Sequence, residues 1–203
     1  MDLNNNNICT NGTNDEEPED IKVYIRNVVC CFTSSCHINL RRLALNGYNV
    51  EYKQKTVCLK LRKPAMSAII HASGSIWCTG AKSVEDARIG ARRICRLLQK
   101  LDFPVKLSNY RVTNVVSTCN VQFKVNMAKL EKLSKEICYC PEINAGANFR
   151  VEHFKTTLTI YTSGSIIIRS PSVENTTKSI SYVYPFLYQA KFNKPFANLT
   201  NLL

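Results

Sequence analysis

The sequence predicts an α+β protein made of two similar halves, in each of which a run of strands is followed by a helix. Three observations predict it. A strand-turn-strand signature is stated twice, as SAIIHASGSIWC at 67–78 and TLTIYTSGSIII at 157–168. A second strand is also stated twice, as YIRNVVC at 24–30 and RVTNVVS at 111–117, and the offset between copies drifts only from 87 to 90 residues. Common strand and turn vocabulary produces isolated matches; matching order along the chain implies an internal duplication. With 203 residues and 45% apolar content the chain has ample material for a packed core.

Residues 1–20 hold six acids (Asp2, Asp15, Glu16, Glu17, Glu19, Asp20), no Lys or Arg and few apolar side chains, so they are expected to form a disordered tail. The first repeat is placed at 21–105. It opens with the apolar strand IKVYIRNVVCCF and continues to a short helix, INLRRLALNG, in which Leu40, Leu43 and Ala44 share a face and Gly47 is expected to supply a left-handed stop. Alternation in TVCLKLRK puts Val57, Leu59 and Leu61 on a core face and Cys58, Lys60 and Arg62 on a basic one. SAIIHA then turns at Ser73-Gly74-Ser75 and returns as IWCTG, an antiparallel hairpin. Ser83, with Asp86 three residues on, caps a helix expected to run to about Leu101. The second repeat, 106–192, restates these parts in order and leaves 193–203 as a C-terminal tail.

Met1 leads into the polar run MDLNNNN, and nowhere do eighteen uncharged apolar residues follow one another, so an intracellular protein without a membrane partner is expected. The ten cysteines read as reduced core residues, most of them in apolar strands (Cys30, Cys31, Cys58, Cys78, Cys119). The approaches to metal-ligand spacing, Cys30, Cys36 and His37 or Cys138 and Cys140, lack a second half, and neither metal nor cofactor is expected.

Charge says more. The net charge is +12, and since 1–20 hold six of the 15 acids, the rest of the chain sets 27 basic against 9 acidic residues, or +18. A body this basic attracts polyanions, nucleic acid above all; the alternative is a basic surface kept for solubility. On the helix from residue 84, Arg88, Arg92, Arg96 and Lys100 are spaced four apart in one stripe, while Ala87, Ala91, Ile94, Leu97, Leu98 and Leu101 cover another face. Like charges at that spacing cost a few tenths of a kcal/mol per pair, roughly, which favours a partner over a local stabilising role. An enzyme with a small-molecule substrate is disfavoured: three histidines (His37, His71, His153), scarce carboxylates and no nucleophile-elbow or phosphate-loop pattern.

The duplicated N-V-V strand, S-G-x-I-x-C-T-G-A-K-S (73–83), A-R-R-x-x-R-x-L-Q-K-L-x-F-P (91–104), Y-x-P-E (139–142) and V-Y-P-F (183–186) resemble the core of the TATA-binding protein family over about 22–192. The resemblance implies a saddle: a curved antiparallel sheet of about ten strands, concave toward the DNA minor groove, with helices on the convex back. It also implies four Phe wedges that kink the duplex. Their positions fall here at Gln54, His71, Asn144 and Tyr161, none of them Phe. Gln and Asn pressed on base faces would leave polar groups unmatched, at about 1–3 kcal/mol each. The matching threonine of the second repeat is also missing, its place taken by Arg169. Other positions match the family's DNA surface: Asn27 and Asn114 for groove acceptors, Val29 and Val116 beside them, Thr79, and Lys60, Arg62, Lys82 and Arg150 for phosphates.

This pattern is similar to the TATA-binding-protein-like factor branch, which NVVCxFxxxCHxNLRxxALxGxNVxYK (27–53) and LRKPxxxAxIxxSG (61–74) also fit. The resemblance implies a nuclear, alternative core-promoter factor for RNA polymerase II that recruits transcription factors IIA and IIB and binds TATA weakly. Ala44, Asn49, Glu51 and Arg62 match the family's surface for transcription factor IIA. Glu142 and Ile143 match part of that for transcription factor IIB, with Cys140 where the family has a second acid, and the Arg88–Lys100 stripe matches a regulator surface. The competing reading is an interaction protein that withholds transcription factor IIA from the TATA-binding protein without binding DNA itself.

Overall fold

The computed structural model describes residues 21–192; the tails expected at 1–20 and 193–203 lie outside the described residues. In chain order the elements are β1 (Tyr24–Thr33), α1 (Leu40–Asn46), β2 (Val50–Lys53), β3 (Thr56–Arg62), β4 (Ala65–His71), β5 (Ser75–Ala81), α2 (Val84–Gln99), β6 (Ser108–Asn120), α3 (Met127–Leu133), β7 (Ile137–Cys138), β8 (Ala147–Val151), β9 (Thr156–Ile160), β10 (Ser165–Ser170) and α4 (Val173–Gln189). A strand, a short helix, four strands and a long helix thus occur twice. The ten strands form one antiparallel sheet in the order β2-β3-β4-β5-β1-β6-β10-β9-β8-β7, with β2 and β7 at its edges. No helix among the described residues is long and apolar enough to cross a membrane.

Contacts divide the described residues into two compact units, one of Tyr24–Ser117 with Arg169–Thr176, the other of Thr118–Ile168 with 21–23 and 177–192. In the first, alternation sends Val57 and Leu59 of β3, Met66, Ala68 and Ile70 of β4, Ile76 and Cys78 of β5, and Val28, Cys30 and Phe32 of β1 to one buried face. Helix α2 covers it with Ala87, Gly90, Ala91, Ile94, Cys95 and Leu98. Its start is fixed as expected: Ser83 Oγ accepts from the Asp86 amide at 3.0 Å, and Glu85 and Asp86 meet the positive end of the dipole. In the second unit Phe149, Leu158, Ile160, Ile166 and Ile168 pack against Ile180, Val183 and Leu187 of α4, with Phe149 edge-on to Phe186 at 5.5 Å. Both short helices are capped alike: Asn39 accepts from the Arg42 amide and Asn126 from the Lys129 amide.

The repeated turn now has a cause. Gly74 and Gly164 hold φ of +88° and +87°, and each carbonyl accepts from the end of an earlier strand, Ser34 N at 2.8 Å and Val121 N at 3.1 Å. A Cβ at Gly74 would collide with the Cys36 carbonyl and Ser34 Oγ, and one at Gly164 with the Phe123 carbonyl, so both handedness and space demand glycine.

Three details differ from expectation. Gly47 ends α1 in an extended conformation, φ −81° and ψ 149°, and is required for room instead, since a Cβ there would meet the Leu43 carbonyl and the Val50 side chain. Helix α2 ends at Gln99, and Leu97 is 38% exposed, rotated off the face that Ile94 and Leu98 bury. Cys58 is half-buried on the side of the sheet away from the core, whereas Cys30, Cys31, Cys78, Cys95 and Cys119 are buried.

Gly74→Ala and Gly164→Ala are each expected to destabilise the fold by at least about 1–3 kcal/mol, read as a lower urea midpoint, while exposed Ser73→Ala stays within about 0.5 kcal/mol. Burial pushes the Cys95 thiol up to about 11 and Cys119 to about 12, whereas Cys138 and Cys140 are exposed. Brief alkylation of the native chain at neutral pH, read by mass spectrometry, is expected to label Cys138 and Cys140 at least about tenfold faster than Cys95 and Cys119.

Candidate nucleic-acid interface

The residues that alternation turns away from the first unit's core form an open face arranged in rows by strand register. Lys60 pairs with Ser67, Ser67 with Thr79, and Thr79 is hydrogen-bonded to Asn27, which makes one polar row. Beside it runs an apolar row in which Cys58 pairs with Ile69, Ile69 with Trp77 and Trp77 with Cys31. Arg111 closes that row, its Nε donating to Cys31 Sγ at 3.2 Å. A third row brings Thr56 opposite His71.

The anchoring of Asn27 follows from an irregularity. Between Val28 and Cys30 the β1–β5 register slips by a residue, and Gly80, at φ +105°, turns its amide toward Asn27 Oδ1 at 2.7 Å. With its oxygen so held and its Nδ2 3.2 Å from Thr79 Oγ1, the carboxamide keeps a second N–H for an acceptor such as those on the minor-groove floor. The second repeat lacks this device. Arg169 and buried Ser170 stand where Thr79 and Gly80 do, and Ser170 Oγ is engaged with Thr176 Oγ1 at 2.5 Å and the Ser172 carbonyl at 2.8 Å. Lys60, Arg62 and Lys82 are exposed, Val29, Asn114 and Val116 half-buried. Arg150 is exposed on β8, but its Nε lies 2.7 Å from Glu152 Oε1, so part of its charge is already answered. Among the described residues no group of three or more His, Cys, Asp or Glu converges as a metal site.

The family model described as "Transcription factor TFIID (or TATA-binding protein, TBP)" matches this chain twice, over residues 22–101 and 109–190. The chain belongs to the TATA-binding protein family. It is 37% identical over 174 residues to TATA box-binding protein-like 1 of Danio rerio, covering 84% of this chain and 94% of that one. It is 35% identical over 190 residues to the TATA-box-binding protein of Tetrahymena thermophila, covering 91% and 77%. The fold is that of the Methanococcus jannaschii TATA-binding protein, with a TM-score of 0.74 at 24% identity over 82% of this chain and 98% of that one. Family and fold are those of a transcription factor rather than an enzyme.

Of the four positions expected for wedges, Gln54, His71 and Tyr161 lie at or next to strand ends and Asn144 in the turn before β8. Gln54 is the centre of the tight turn between β2 and β3, at φ 45°, exposed, with the Lys55 amide donating to the Lys53 carbonyl across it. His71 ends β4 and is half-buried. Asn144 folds back, its Oδ1 accepting from the Gly146 amide at 3.1 Å, and the Tyr161 ring lies against that same glycine. Gln54 and Asn144 thus lie in turns, and the Asn144 carboxamide is engaged there.

Of the family's partner surfaces, the structure brings Asn49, Glu51 and Arg62 together around a shallow cavity of about 470 Å³ at the β2 edge, with Lys60 beside them; Ala44 is half-buried on α1. Ile143 is 86% exposed next to exposed Glu142, in a turn whose amides at Ile143 and Asn144 both donate to the Cys140 carbonyl. Arg88, Arg92, Arg96 and Lys100 are all exposed. Trp77 was not singled out by sequence reasoning. Its position between buried Ile76 and Cys78 was the available signal, but its row neighbours depend on long-range register.

The combined variant Gln54→Phe, His71→Phe, Asn144→Phe and Tyr161→Phe is expected to bind TATA duplex at least about tenfold tighter than the natural chain in a gel shift, because the apolar contact that offsets unstacking is restored. Unchanged affinity would mean that these are not the wedge positions.

Proposed function

We propose that the chain is a nuclear, alternative core-promoter factor for RNA polymerase II, which assembles with transcription factors IIA and IIB at mostly TATA-less promoters and contacts DNA weakly through the minor groove. The observation that carries this reading is the combination on one face of an anchored Asn27 and exposed Lys60, Arg62 and Lys82 with no Phe at any of the four wedge positions. Electrostatic attraction remains and the kinking device does not, so binding should be salt-sensitive and poorly TATA-selective.

Transcription factor IIA is assigned to the β2 edge, where unpaired backbone groups suit the addition of a partner strand and Asn49, Glu51 and Arg62 supply side-chain contacts. Transcription factor IIB is assigned to the Cys140–Asn144 turn, with Ile143 as the apolar anchor. The preserved β2 edge beside lost wedges also favours a second reading, in which the chain sequesters transcription factor IIA from the TATA-binding protein without touching DNA.

Gel shifts on TATA and TATA-less promoter duplexes across a salt series, with and without transcription factor IIA, separate the two. The promoter reading expects retention that falls steeply with salt and rises with transcription factor IIA; a ternary mixture that retains no DNA leaves only sequestration.

A further inference from the structure

The apolar row on the first unit's open face has no role among the family positions discussed above, and its most prominent member is an indole. Ile69 and Trp77 are each 41% exposed. Around Trp77 stand Ser75 and Thr79 along β5, Cys31 on β1 and Ile69 on β4, all shorter than the ring. Leaving so large an apolar plane in water without a partner forgoes the burial that most tryptophans obtain.

The charge nearby indicates which partner. Residues 24–117 hold 16 Lys and Arg against 4 Asp and Glu; Arg88, Arg92, Arg93, Arg96 and Lys100 belong to α2 on the far side of the core, but exposed Lys60, Arg62 and Arg111 stand on the open face itself. Glu51, the acid opposite Cys58 at the end of the apolar row, is ion-paired with Lys53 at 3.6 Å. Arg111 sits at the other end of the row and Lys60 in the next one. A flat exposed ring set among cations suits a strand that alternates aromatic bases with phosphates better than it suits an apolar peptide.

Pairing state matters to such a ring. An intact duplex offers its minor groove base edges at the floor of a cleft about 6 Å wide, and an indole meets base faces there only if the stack opens. Gln54 and His71 bring no phenyl group to help open it. An unpaired strand offers the same faces with no stack to break. The second repeat has no equivalent platform: Ile167 matches Trp77, and Thr159, whose hydroxyl donates to Asn148 Oδ1 at 3.0 Å, matches Ile69.

We infer that Trp77 is a stacking platform for an unpaired base, and that the open face of the first repeat binds single-stranded DNA in preference to intact duplex. This deepens the promoter-factor reading and rests on it only in that the same face meets DNA.

Trp77 is the one tryptophan of the 203 residues, so emission excited to the red of the absorption of the nine tyrosines reports on this site alone. Titration with a thymidine 20-mer is expected to quench that emission saturably, and a mixed-sequence 20-base-pair duplex to bind more weakly without matching the quench. By anisotropy of labelled strands, Trp77→Ala is expected to weaken single-strand binding about tenfold and Trp77→Phe to retain most of it, with both variants keeping the circular dichroism of the parent. Single-strand binding that leaves emission unchanged, or survives Trp77→Ala undiminished, overturns the inference, as does tighter binding and stronger quenching by duplex. Salt-dependent duplex retention in those cases leaves the promoter reading standing. If neither strand nor duplex is bound by the chain alone, the inference falls, and the promoter reading is decided separately by retention in the presence of transcription factor IIA.

Discussion

Within each repeat the structure depends on the alternation of side chains across a sheet that is covered on one side only. On β3 the helix side reads Val57 and Leu59, both buried, and the other side reads Cys58, Lys60 and Arg62; β4 divides Met66, Ala68 and Ile70 from Ser67, Ile69 and His71 in the same way. Slipping β3 by one residue would bury Lys60 and expose Val57, so the core holds its register. The open face is therefore released from packing demands. The four positions expected for wedges, Gln54 and Asn144 in turns and His71 and Tyr161 at strand ends, all lie outside the two core clusters, so the core does not dictate their residues.

Much of this was legible in the sequence because it is local or periodic. The strands of period two, the Ser83 cap with Asp86 and the doubled Ser-Gly-Ser turn all fall within windows of a few residues. What the sequence concealed is spatial. Gly47 is needed for clearance above Leu43 rather than for handedness, and no window around it distinguishes the two. Asn27 was recognised from resemblance, but its anchoring on Gly80 crosses 53 residues and needs a register slip that no local pattern announces. The Arg150–Glu152 ion pair joins residues two apart, but Glu152 begins the 3-10 turn that follows β8, so strand alternation does not announce that they meet.

The repeats are equivalent as folds and unequal as surfaces. The first combines a bulge that orients Asn27, an edge strand lined by Asn49, Glu51 and Arg62, and the basic stripe of α2. The second has Ser170, engaged with Thr176 and Ser172, where Gly80 anchors Asn27 in the first; it commits Asn144 to its own turn and presents Ile143. Duplication supplies two copies of a core, and only the core needs both to stay alike. An inherited symmetry in the buried face is thus compatible with assigning polyanion contact to one half and apolar protein contact to the other.

That inequality bears on how DNA is met. A binder that bends duplex from both ends needs wedges on both repeats, since each kink must be offset by contact that only the opposite kink makes reachable. If Gln54, His71, Asn144 and Tyr161 stand at the wedge positions, as proposed, symmetric bending lacks its driving force, and the open-face cations Lys60, Arg62 and Arg111 of the first repeat favour one-sided attachment. A one-sided binder gains nothing from distorting paired bases, but it gains from any base already unpaired, because each face that stacks on an exposed ring removes apolar area from water without first breaking a stack. On the proposed reading, the missing phenyl groups at Gln54, His71, Asn144 and Tyr161 and the indole of Trp77 on β5 are one change of strategy, from opening a duplex to using one that is open.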